Sequence, residues 1–87
     1  MYLILVYDIE EDRVAKVLKT CRKYLNWIQN SVFEGEITKA KLEELKADLK
    51  EIIEKDKDSV VFYKMRTTKY LNKEIMGKEK SEISSFI

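Results

Sequence analysis

Tyr2, Leu3, Ile4, Leu5, Val6 and Tyr7 are apolar at every position. A strand with one wet face alternates apolar and polar residues, so an unbroken run reads as a strand covered on both faces and central in its sheet. By the two-residue period, Tyr2, Ile4 and Val6 point to one side and Leu3, Leu5 and Tyr7 to the other. Asp8 closes the run and falls on the first side. The chain has 87 residues, enough for one small domain and no inter-domain cleft. Cover for both faces must come from few elements or from a second chain, and a site must be shallow or shared between chains.

Glu10, Glu11 and Asp12 are suited to the positive end of a helix, and Val14, Val17, Leu18, Cys21 and Leu25 follow at helical spacing. This predicts an amphipathic helix over residues 11 to 25. Trp27, Ile28, Val32, Phe33 and Ile37 favour strands, but the pattern slips at Gln29, Asn30 and Ser31. Two short strands joined by a tight reversal are expected there, with a bulge or bend at Gly35. Thr38 is placed to cap a second helix, residues 39 to 55, whose stripe is Leu42, Leu45, Leu49, Ile52 and Ile53. Its solvated face carries Lys39 with Glu43 and Glu51 with Lys55 at pairing distance along the helix. Residues 60 to 66 read as another strand, and Tyr70, Leu71 and Ile75 as a short last one before Gly77. The domain is expected over 1–76, with 77–87 a tail or docking segment.

This order is the ferredoxin-like βαββαβ arrangement of the α+β class, extended by a short fifth strand. Its two helices cover one face of the sheet. The second apolar face of the first strand would be an exposed patch unless another chain covers it, and a two-fold homodimer packed through the sheets is the simplest cover.

The absence of histidine removes Ser-His-Asp chemistry and every histidine-containing zinc site, and one cysteine, Cys21, allows neither an internal disulfide nor a four-cysteine site. Cys21 lies on a helix stripe and reads as an inert core thiol, and the chain as cytosolic. The first apolar run is broken by Asp8 and followed by three more acids, so it reads as neither a signal peptide nor a membrane span. Net charge is +1, yet Arg13, Lys16, Lys19, Arg22 and Lys23 fall in one acid-free stretch and Lys64, Arg66, Lys69 and Lys73 in another. Such stretches are either solvated surface or a ridge for phosphates. Tyr24, Trp27 and Phe33 are core residues or platforms for bases. Asp8 either caps the helix that follows or, in a sheet-packed dimer, meets its copy near the symmetry axis. Two such carboxylates repel unless protonated, kept apart by water or bridged by a cation, and oxygen ligands suit Mg²⁺ or Mn²⁺.

The strand end Val6-Tyr7-Asp8-Ile9, the segment Ile28-Gln29-Asn30-Ser31-Val32-Phe33-Glu34-Gly35-Glu36-Ile37 and the strand Val60-Val61-Phe62-Tyr63-Lys64 resemble the smaller of the two universal CRISPR spacer-acquisition proteins. That family is described as CRISPR-associated endoribonucleases or deoxyribonucleases, and the match runs over residues 1 to 76. The resemblance implies a homodimer whose fifth strand packs on the partner's sheet, with Asp8 of each chain on one Mg²⁺ at the interface and Tyr7 and Phe33 as catalytic neighbours. It further implies hydrolysis of RNA or DNA and a dimer that bridges dimers of the larger integrase during spacer acquisition in antiviral defence. Arg13, Lys16, Lys19, Arg22, Lys23, Lys64 and Arg66 would contact the nucleic acid. Trp27 stands where many members carry a basic residue. The alternatives are a non-catalytic DNA-binding scaffold and a ferredoxin-like module binding RNA or a ligand on its open sheet.

Overall fold

In the computed structural model, residues 1–69 and 71–77 are described. The elements run β1 (Tyr2–Asp8), α1 (Glu11–Arg22), β2 (Asn26–Gln29), β3 (Val32–Glu36), α2 (Lys39–Lys50) and β4 (Ser59–Met65). The sheet has the order β2-β3-β1-β4 with every neighbouring pair antiparallel, so the unbroken apolar strand is central, as its pattern predicts. The α+β, ferredoxin-like expectation stands.

Both helices lie on one side of the sheet. Leu3, Leu5 and Tyr7 of β1 and Phe33 of β3 meet Val17 and Cys21 of α1 and Leu42, Leu45 and Leu49 of α2 in a single core. Each fully buried Leu, Val or Phe in it stabilises the fold by about 1.5–3 kcal/mol relative to exposure. Burial pushes the Cys21 thiol up to about 12, which makes it the inert core group expected. Thr38 caps α2 by accepting from the Lys41 amide at 3.1 Å. The hairpin between β2 and β3 turns at Asn30, whose φ of 39° lies in the left-handed region that asparagine tolerates.

Four local expectations are revised. α1 ends at Arg22 and α2 at Lys50, each earlier than its apolar stripe. The chain winds on in turns, the amides of Ile52 and Ile53 both donating to the Leu49 carbonyl at 2.9 Å. Along α2 the ion pairs are Lys41 with Glu44 and Glu43 with Lys46, not the pairs four residues apart. Gly35 makes no bulge: it sits in continuous register opposite Leu3, beneath Leu25, and the irregularity falls in β2 between Trp27 and Gln29. Ile28, next to the helix-side Trp27, falls by alternation on the face away from the helices, where it lines a cavity with Ile4 and Val32.

No fifth strand forms among the described residues. Tyr70 and 78–87, which held part of that expectation and nearly all of the tail, lie outside them. Lys73, Glu74, Ile75 and Met76 instead border the cavity of about 290 Å³ over Ile4, Ile28, Val32 and Glu34. Lys73 forms an ion pair there with the buried Glu34. The open face of the sheet is thus partly covered by its own chain on the β2 side. The described residues leave it uncovered on the β4 side, where Val61 is 41% and Tyr63 57% exposed.

Candidate active site at the end of the first strand

Asp8 is the last residue of β1 and pairs in register with Ser59, the first residue of β4. One residue earlier, the Tyr7 amide donates to the Ser31 carbonyl at 3.1 Å. The end of the central β1, the start of the edge strand β4 and the β2–β3 hairpin therefore converge around Asp8. Its side chain is exposed on the open face, with no hydrogen-bond or ion-pair partner among the described residues. The capping alternative fails, because α1 starts from Glu10 as N-cap with no side-chain cap bond.

Among the described residues no group of three or more Asp, Glu, Cys or His side chains is placed to hold an ion. At this strand end the described residues offer Asp8 alone on the open face. Magnesium keeps several waters and takes one or two protein carboxylates together with substrate phosphates. That donor set is matched by two copies of Asp8 brought together, and the uncovered Val61 and Tyr63 lie on the same face.

Tyr7 and Phe33 do not join this site. Tyr7 is 6% exposed, Phe33 is wholly buried, and their rings stack at 6.1 Å in the core on the helix side of the sheet. Both rings pack behind the strand that carries Asp8, because the residue before Asp8 points the opposite way. Trp27 extends the stack, 6.5 Å from Phe33, with its indole N–H donating to the Asn30 carbonyl and the Arg22 guanidinium 5.8 Å from its ring centre. Tyr24, two residues past the end of α1, ties the α1–β2 connection to α2 by donating its hydroxyl to Asp48 at 2.6 Å.

Of the basic residues, Arg13 is committed elsewhere. Its Nε and Nη2 donate to the two oxygens of Asp58 at 2.6 and 2.9 Å, and Nη1 reaches Glu54 at 2.6 Å and Asp12 at 3.1 Å. This replaces the phosphate contact expected of it. Lys16, Lys19, Arg22 and Lys23 are exposed along α1, on the helix layer and not on the face of Asp8. The helix has 12 residues, so Lys23 lies roughly 18 Å from its start near Asp8. Lys64 pairs with Leu3 and Arg66 follows β4, at the end of the sheet away from Asp8. Lys23, Lys64 and Arg66 therefore stand away from Asp8.

Asp58 lies in the charged run Asp56-Lys57-Asp58 between α2 and β4, where no periodic pattern marks it. Its carboxylate is wholly buried and also accepts from the Glu10 amide at 2.9 Å and the Glu54 amide at 2.8 Å. Arg13's hydrogen bonds hold it well below the usual carboxylate range; burial opposes this, and the two amides reinforce it.

The chain matches the family model of the CRISPR associated protein Cas2 over residues 1–73. It is 58% identical to a CRISPR-associated endoribonuclease Cas2 of Dictyoglomus turgidum and 52% identical to one of Thermotoga maritima, each across 94% of both chains. A relative of that name from Methanosarcina acetivorans is 47% identical over the full length of both. Among solved structures, a crystal structure of Cas2 superposes with TM-score 0.82 at 47% identity, covering 93% of this chain and 91% of that one. The Cas2 of Streptococcus pyogenes follows at 0.78 and 31%, covering 88% of this chain and all of that one. The central strand ending in an exposed carboxylate, the sheet order and the extent of this likeness agree: the chain belongs to the CRISPR-associated Cas2 family.

Proposed function

We propose that the protein is a metal-dependent endoribonuclease that works as a two-fold homodimer, with Asp8 of each chain contributing one ligand to a shared Mg²⁺ or Mn²⁺. The observation that carries this reading is the Asp8 carboxylate, exposed and unpartnered among the described residues, on a sheet face whose neighbouring strand leaves Val61 and Tyr63 uncovered. When bound, the metal supplies charge stabilisation at a phosphoryl oxygen and an acidified water. The chain's own residues orient that chemistry. The register of β1 with β4 sets the height of Asp8 in the sheet, and the Tyr7–Phe33 stack supports the strand from behind. The three relatives named above are each called endoribonucleases, which supports RNA as the substrate.

In this reading the dimer also serves CRISPR adaptation and antiviral defence, bridging dimers of the larger integrase. A second reading, a non-catalytic DNA-binding scaffold in the same process, is favoured by one observation: the exposed basic residues of α1 lie on the layer opposite Asp8. Asp8→Asn separates the two. Because Asp8 is exposed and unpartnered, the variant should stay folded and dimeric, within about 0.5 kcal/mol of the parent. Magnesium-dependent cleavage of a labelled RNA should fall at least about 100-fold. Cleavage at the parental rate would remove the nuclease assignment, whereas abolished cleavage with intact DNA integration favours the scaffold.

A further inference from the structure

Asp58 and Arg13 lie off the open face and have no place in the chemistry above, yet their geometry converges on the residue that does. The Asp58 side chain has no exposed surface and uses both oxygens twice: Oδ1 accepts from the Glu10 amide and Arg13 Nη2, both at 2.9 Å. Oδ2 accepts from Arg13 Nε at 2.6 Å and the Glu54 amide at 2.8 Å. Four donors fix one carboxylate, and no buried side-chain polar atom among the described residues is left unpaired. Glu10 is two residues beyond Asp8, and Ser59, which follows Asp58, is the register partner of Asp8. The clamp therefore grips the chain on both sides of the β1 exit, where a strand end would otherwise fray.

We infer that Asp58 and Arg13 are positioning residues for the candidate metal carboxylate: together they lock the β1–α1 junction to the first residue of β4 and so fix where Asp8 presents its oxygens. This rests on the reading of Asp8 as a metal ligand. A divalent ion bound by few protein oxygens depends on their placement, and outer-shell partners of metal ligands commonly change affinity or activity by 10–100-fold when removed. The chemistry of the pair makes the demand specific. An asparagine at position 58 must turn its NH2 group toward two of the four donors, and a lysine at position 13 keeps the charge but loses the two-pronged grip.

The test compares the parent, Asp58→Asn, Arg13→Lys and Asp8→Asn as purified full chains. Amide hydrogen exchange is read without metal, and cleavage of a labelled RNA is titrated with Mg²⁺, both well below the melting temperature of every variant. The expected result for Asp58→Asn and Arg13→Lys is loss of protection confined to residues 8–10 and 59, with the Mg²⁺ half-saturation raised about tenfold. Unchanged protection at those residues, or protection lowered evenly through the sheet with parental Mg²⁺ half-saturation, would overturn the inference and leave a purely structural ion pair. Parental cleavage in Asp8→Asn would overturn the reading of Asp8 and the inference with it. Abolished cleavage in Asp8→Asn beside parental Mg²⁺ dependence in the other two variants would remove the positioning role alone.

Discussion

Tyr7 and Asp8 are consecutive in β1 and end on opposite sides of the sheet: Tyr7 packs in the core 6.1 Å from Phe33, while Asp8 stands exposed on the open face. The alternation of a strand separates the two roles more firmly than any side-chain rotation could undo. The aromatic pair supports the strand that carries the carboxylate, and the carboxylate meets whatever approaches the sheet.

Phe33 should therefore respond to substitution as a core residue. Phe33→Ala removes a wholly buried ring and should cost about 3–5 kcal/mol, a large share of a small domain's stability. Phe33→Leu should lose far less and retain RNA cleavage within a few-fold. Urea denaturation alongside the cleavage assay decides the matter. A stable Phe33→Leu protein without activity would return the ring to the chemistry.

The uncovered half of the open face yields a test of the dimer. Val61 and Tyr63 are exposed in the single chain, so Tyr63→Lys leaves the fold intact while placing a charge in the contact between sheets. Light scattering at micromolar concentration should show a monomer, and metal-dependent cleavage should disappear with the second Asp8. A dimer of undiminished stability would place the subunit contact elsewhere.

Acid should act through Asp58. Its carboxyl is held below the usual range in the fold by the hydrogen bonds of Arg13. The folded state thus binds fewer protons than the unfolded chain once pH falls below the ordinary aspartate value near 3.9. The stabilisation is complete above that value and is lost as pH falls toward the depressed one. Urea midpoints should decline more steeply between pH 5 and pH 2 in the parent than in Asp58→Asn. On the alkaline side, burial raises the Cys21 thiol to about 12. Its contribution is present below the unfolded thiol value near 8.5 and fades as pH rises toward 12.

The basic face of α1 should govern affinity and not turnover. Lys16 and Lys19 are exposed three residues apart on the helix layer. Reversing both charges to Glu should weaken RNA binding and flatten the slope of its salt dependence by about 0.7 for each phosphate that these lysines neutralise in the parent. KM should rise while kcat stays near the parental value. A fall in kcat with KM unchanged would bring these lysines to the reacting phosphate.

Periodicity within a few neighbouring residues was enough to determine the elements of this protein. The unbroken run of β1 marks the central strand, the stripes from Val14 and from Leu42 mark the two helices, and alternation places Asp8 on the face opposite Leu3, Leu5 and Tyr7. Those properties depend on backbone geometry shared by every strand and helix. Only the tertiary structure decided which charges are used up and which remain. Arg13 and Asp58 are 45 residues apart, and no local pattern marks them as partners, so one reads as a phosphate contact and the other as loop. Likewise the segment after β4 turns across its own sheet and pairs Lys73 with Glu34, because ion pairs and cover for an apolar face are settled by proximity in space, which sequence spacing does not encode.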